Sequence, residues 1–149
     1  DLKIISGGQS GVDRAALDFA LENHIPCGGW CPNGRLAEDG PIHSRYPLRE
    51  TLRTEYRFRT EANVQDSDAT LILYIDKLGN GTALTQQIAI HLKKPCLLIR
   101  LNKDYGKKIT ELHSWLETNE IKTLNIAGSR ESTEPGIYAT AWKFLEGAF

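Results

Sequence analysis

The chain has 149 residues, 25% of them charged and 40% hydrophobic, with 18 basic and 19 acidic side chains and a formal net charge of −1. That length predicts a single domain over residues 1–149, at roughly 100–200 residues per domain. The charge balance excludes the strongly basic face of an extended nucleic-acid surface, and no apolar run approaches the roughly 20 residues of a membrane helix.

No signal peptide is expected ahead of the first strand. Three cysteines are an odd number and do not make a disulfide scaffold. Cys27 and Cys31 have no second ligand pair nearby, so they read as thiols beside a strand, with no metal site expected. The expected compartment is reducing and cytoplasmic.

Leu2 to Ser6 reads as the first strand and ends in Gly7-Gly8-Gln9-Ser10-Gly11. Asp13 to His24 carries Ala16, Leu17, Ala20 and Leu21 at helical spacing, and Pro26 stops it. Cys27 to Cys31 reads as a second short strand. Pro32 to Thr51 is irregular, with Pro32, Gly34, Gly40, Pro41 and Pro47. Connections of that length are usually functional or mobile. Thr54 to Asp66 is expected to be helical despite poor periodicity. Ala69 to Asp76 is a strand whose near-continuous apolar run predicts cover on both faces.

Lys77-Leu78-Gly79-Asn80-Gly81 follows, then a helix from Thr82 with Leu84, Ile88 and Leu92 on one face. Cys96 to Leu101 is the fourth strand. Ile109, Leu112 and Leu116 mark a helix, and Lys122 to Ala127 is the fifth strand. Gly128 to Pro135 is a loop, and Tyr138, Ala141, Trp142 and Leu145 mark a closing helix. Strands alternating with helices predict an α/β domain, a parallel sheet with right-handed crossovers between two helical layers. Ligands of such sheets bind beyond the carboxyl ends of the strands.

Three strand-ending loops suit phosphate. In the first, Gly7, Gly8, Gln9, Ser10 and Gly11 lead to Asp13 and Arg14. The glycines allow close backbone approach, and the helix start offers unpaired N–H groups. Arg14 adds charge there, and Asp13 either caps the helix or meets the ligand. The second loop is Gly79, Asn80 and Gly81, with Thr82 as the expected cap. The third runs from Gly128, Ser129, Arg130 and Glu131 to Gly136, and Arg130 suits bidentate grip of a phosphate. None matches the G-x-G-x-x-G or G-x-x-x-x-G-K-[ST] patterns.

At these loops the chain resembles a known group. Ile5 to Asp13 resembles the SGG-x-x-G-[IV]-D segment of the SLOG superfamily, the Rossmann-like group with the DNA-processing protein A and Lonely Guy families. Ile126-Ala127-Gly128-Ser129-Arg130 resembles the strand and GSR signature with which those proteins usually begin. Here it stands near the end, as a circular permutation would place it. The whole chain, including Cys27 to Pro32, Glu38 to Ile42 and Asp66-Ser67-Asp68, is similar to the circularly permuted YpsA-like SLOG family. That family is also described as molybdenum carrier proteins.

The resemblance implies a Rossmann-like three-layer fold with strand order 2-1-5-3-4 and all three glycine loops at one sheet edge. It also implies homo-oligomerisation. Lonely Guy enzymes carry PGG-x-GT-x-x-E with a catalytic Glu, and Thr85 stands at that position here. A hydroxyl cannot do that carboxylate's acid–base work, which favours binding over catalysis.

Arg35, Arg45, Arg49, Arg53, Arg57 and Arg59 crowd the irregular segment and the helix after it. They read either as a salt-bridged surface or as a basic lid, with Arg35 the best single candidate. Glu38-Asp39 is a carboxylate pair on a loop that suits a hard cation carried on a phosphate. Trp30 reads as a stacking platform or as packing, and Asp68 as a cap. The histidines lack ligand spacing, and Ser10 lacks the setting of a nucleophile elbow.

The expected function is binding of a nucleotide-like or phosphorylated small ligand, which the resemblance extends to the molybdenum cofactor, a phosphorylated pterin. A nucleotide-processing hydrolase using Glu38, Asp39 or Glu131 is the alternative. An interaction module with a vestigial pocket is a third reading.

Overall fold

Short runs of aliphatic residues build the sheet, because their side chains can be buried on a pleated surface from both faces. The computed structural model describes residues 1–102 and 104–149. In chain order, β1 (Lys3–Ile5) leads to α1 (Val12–Glu22), β2 (Cys27–Gly28) and β3 (Trp30–Cys31). Then come β4 (Leu36–Ala37), β5 (Gly40–Pro41), β6 (Arg49–Glu50) and α2 (Tyr56–Asp66). The rest alternates as β7 (Ala69–Tyr74), α3 (Asn80–His91), β8 (Cys96–Arg100), α4 (Tyr105–Thr118), β9 (Thr123–Gly128) and α5 (Ile137–Ala148).

The main sheet has five strands in the order β2-β1-β9-β7-β8, and every pairing in it is parallel. With the short strands β3 to β6 set aside, this is the expected order 2-1-5-3-4. The last strand of the chain therefore lies at the centre, between β1 and β7.

Alternation along the strands sends Ile4, Leu71, Leu73, Leu124 and Ile126 to one face, where they pack with Val12, Phe19, Leu112, Ile137 and Phe144 of α1, α4 and α5. On the opposite face α2 and α3 pack against each other and the sheet. That layer is more polar: Asn125 Nδ2 donates to Thr70 Oγ1 at 3.2 Å, and Thr60, Asn63, Thr82 and Thr85 are buried.

The expected strand over Cys27 to Cys31 is two strands in two sheets. Gly29 breaks it at φ 133, and a Cβ there would stand 2.2 Å from the Ser6 carbonyl oxygen. β2 stays in the main sheet while β3 turns away to pair with β6. The helix expected from Thr54 begins at Tyr56, and the one expected from Thr82 begins at Asn80, with Gly79 as its cap residue. The buried face of α3 is Thr82, Thr85 and Ala89 rather than Leu84, Ile88 and Leu92. Small side chains there let the helix lie close to the polar side of the sheet.

The irregular segment has its own small core of Leu17, Cys31, Ile42, Tyr46 and Leu48. Arg35 organises it from φ 55. Its guanidinium donates to the carbonyls of Ile42, His43, Tyr46 and Leu48 at 2.7–3.2 Å.

Candidate functional site

Because β9 lies between β1 and β7, the loops after these three strands meet at one sheet edge. They do not contribute alike. In the first loop the glycines make room for protein. The Arg59 guanidinium lies 1.7 Å from where a Gly7 Cβ would be, and the Ser129 carbonyl 2.3 Å from that of Gly11. The Gly8 carbonyl accepts from Arg14 Nε and Nη2 at 3.1 and 2.9 Å, and Arg14 also pairs with Asp39 at 3.0 Å. Asp13 does not cap α1, whose cap position is Gly11. Its buried carboxylate accepts from Gln9 N at 3.3 Å and pairs with Arg59 at 2.9 Å.

The second loop is open. Gly79, Asn80, Gly81 and Thr82 form the start of α3, which has no side-chain cap. First-turn N–H groups have no partner within a helix. A Cβ on Gly81 would meet nothing within 4 Å.

The third loop is divided. Gly128 is a packing position, with the Leu73 carbonyl 2.1 Å from its Cβ direction. Ser129 Oγ donates to Glu134 at 2.6 Å. Glu131 accepts from Gly136 N and Tyr138 N at 2.6 and 3.0 Å, and so caps α5. Arg130 is 3.7 Å from the Glu38 carboxylate and 5.4 Å from the Tyr56 ring centroid.

A cavity of about 500 Å³ lies between these loops and the start of α2. Gln9, Asp13, Gly79 to Thr82, and Gly128 to Arg130 line it, together with Tyr56, Arg57, Arg59, Thr60 and Thr85. Gly7, Gly8, Ser10, Gly11, Arg14, Arg35 and Glu131 do not. Asp13 is the lining carboxylate among the described residues, and Arg57, Arg59 and Arg130 line the same cavity.

Two donors in this wall have no partner among the described residues, Gln9 Nε2 and Arg59 Nε. The orientation of the Gln9 amide is set by its oxygen, which accepts from Ser10 N at 3.0 Å and Glu38 N at 2.8 Å. Among the six arginines of this region the sequence favours Arg35, just past Asn33-Gly34, yet it is Arg59 that lines the cavity and Arg35 that does not. The periodicity of α2 is too weak to show which face meets the sheet.

Glu134 carried no signal in the sequence. Its carboxylate accepts from Ile75 N and Asp76 N at 2.9 and 2.6 Å and ties the third loop to the end of β7. Burial pushes its pKa up, but these hydrogen bonds and that of Ser129 outweigh it and hold the carboxyl below the usual 4.5. Glu134→Gln is expected to cost about 1.5–3 kcal/mol at neutral pH, the scale of hydrogen bonds to a charged group. A depressed carboxyl pKa gives stability present above 4.5 and lost as pH falls through the folded value. The gap between wild type and variant in urea unfolding therefore narrows in acid.

The sequence matches the model of the circularly permutated YpsA SLOG family over residues 4–149. The chain belongs to that family. In fold, this SLOG domain is similar to the crystal structure of the "Putative molybdenum carrier protein" from Syntrophus aciditrophicus SB. The two share 49% sequence identity at a TM-score of 0.96, over 99% of this chain and 94% of that one. No curated protein matches the chain.

In this SLOG domain Thr85 lines the cavity, and its hydroxyl donates to the Gly81 carbonyl at 3.0 Å. The helix bond occupies the one proton that side chain carries. Among the described residues no helix is long and apolar enough to cross a membrane. Cys27, Cys31 and Cys96 are free, and none lines the cavity.

Proposed function

We propose that the cavity binds the phosphoryl end of a small nucleotide-like or phosphorylated ligand. The observation that carries this is the pair of unpartnered buried donors, Gln9 Nε2 and Arg59 Nε, in a wall that also holds the uncapped start of α3. Buried donors without acceptors cost free energy, and an oxyanion drawn into this wall would offer them acceptors. The helix start adds N–H groups and the positive end of its dipole. Arg130 supplies a planar fork of donors that matches phosphate.

Binding rather than turnover is the reading, since the lining carboxylate, Asp13, is engaged by Arg59 and Gln9 N. The similar protein's name brings molybdenum into the question. Without a cysteine in its lining, the cavity suits a metal that arrives as an oxyanion or on a phosphorylated carrier such as the molybdenum cofactor, bound by hydrogen bonds rather than by thiolates. A reducing, cytoplasmic setting and a homo-oligomer belong to the same reading. For the oligomer, α3 leaves Ile90 65% exposed.

Native against denaturing mass spectrometry of protein purified from its own cells would separate a released nucleotide from a pterin by mass. Titration with inorganic phosphate, adenosine monophosphate and molybdate tests the site directly. Arg130→Ala is expected to fold normally and weaken phosphate binding by about 1.5–3 kcal/mol, the scale of a charged hydrogen bond. Unchanged affinity would remove Arg130 from the site.

A further inference from the structure

A second cluster of donors adjoins the cavity, and the chain's own carboxylate fills it. Glu38 lies in the turn between β4 and β5. One of its oxygens accepts from the hydroxyl of Ser10 and from Ser132 N at 3.1 Å. The other accepts from the Ser132 hydroxyl and lies 3.7 Å from Arg130 Nη1. Two hydroxyls, a backbone N–H and a guanidinium converge on one anionic group. That is the donor set of an oxyanion site.

The turn is held to the body through polar contacts. Glu38 N donates to Gln9 Oε1 at 2.8 Å, and Asp39 pairs with Arg14 while remaining 50% exposed. The neighbouring Leu36 is 44% exposed. The Glu38 side chain itself belongs to neither apolar core, so its withdrawal breaks polar contacts only. Arg130 lines the cavity and touches Glu38, and Ser132 lines both that cavity and the space on the other side of the third loop.

We propose that Ser10, Ser132 and Arg130 form a second anion seat that Glu38 occupies here and yields to the second phosphoryl group of a diphosphate-bearing ligand, whose first phosphoryl group sits at the start of α3. This rests on reading the cavity as a phosphate site. A guanidinium has five donors in one plane, so Arg130 can serve both groups of a diphosphate. A phosphoryl group carries more charge and more acceptor oxygens than the carboxylate it replaces. Glu38 then sets a threshold for diphosphate ligands, which must displace it, whereas ligands with a single phosphoryl group leave it in place and share Arg130 with it.

The test is chemical-shift titration of the full chain with inorganic phosphate and with pyrophosphate, in wild type, Glu38→Ala and Glu38→Ala/Ser132→Ala. Glu38→Gln removes the charge while keeping the shape, and it carries the same expectation if the alanine variant unfolds. Pyrophosphate affinity is expected to rise about tenfold or more in Glu38→Ala, and phosphate affinity by less than about threefold. Adding Ser132→Ala should erase most of the pyrophosphate gain.

Equal gains for both anions, or a gain indifferent to Ser132, would show a general charge effect and overturn the second seat. Wild-type phosphate binding without any response of pyrophosphate to Glu38 would overturn it too, and leave the cavity reading intact. Failure of every form to bind either anion would overturn both.

Discussion

Replacing Arg59 with alanine is expected to destabilise the fold by about 3–5 kcal/mol at neutral pH, the cost of leaving a buried charge without its partner. The partner is Asp13, 3% exposed, whose carboxylate lies 2.9 Å from the guanidinium. Burial pushes the Asp13 pKa above its ordinary 3.8, and the Arg59 charge and hydrogen bond are the main influences opposing that rise. A carboxyl whose folded pKa is raised contributes stability that is full below 3.8 and lost as pH rises through the folded value. Without Arg59 the pKa climbs further, so the penalty widens with pH and narrows in acid. Urea unfolding of both proteins at about pH 4 and about pH 7 measures this. A penalty of equal size at both would show that Asp13 is not the charge left exposed. The same arginine fills the space beside Gly7, so a first loop that reads as ligand-binding in sequence is held by a residue from α2.

Gly128 and Gly81, two glycines with the same appearance in sequence, are expected to respond in opposite ways to alanine. At Gly128 a Cβ would stand 2.1 Å from the Leu73 carbonyl and 2.6 Å from Val12 Cγ2. Neither β7 nor α1 can retreat without opening the core, so Gly128→Ala should cost about 3 kcal/mol, the upper end for overpacking. At Gly81 the Cβ meets nothing within 4 Å. Gly81→Ala should be as stable as wild type or gain up to about 1 kcal/mol from helix propensity. Gly81 lines the cavity at the start of α3, so on the phosphate reading the added methyl should lower phosphate affinity about tenfold or more. Thermal unfolding and phosphate titration of the two variants give four readings. Undiminished phosphate binding by Gly81→Ala would mean that the start of α3 is not the phosphate seat, and loss of its stability would mean that this glycine packs against protein.

The sequence by itself determined the alternation of strands and helices, because aliphatic runs and helical spacing are local signals. The SGG, GNG and GSR loops were legible for the same reason. The strand order was legible through the displaced GSR signature, since a permuted chain keeps its neighbours in space. What the sequence left open was which glycines face solvent and which face protein. Gly7, Gly11 and Gly128 make way for Arg59 and for the carbonyls of Ser129 and Leu73, partners distant in sequence. Likewise, local sequence favours Arg35, just past Asn33-Gly34, over Arg59 as a ligand contact. Only tertiary packing turns the first onto its own loop's carbonyls and the second onto Asp13 at the cavity wall. Charge and turn chemistry are properties of a residue and its neighbours. Burial, and the partner that compensates it, depend on segments that meet only once the sheet has formed.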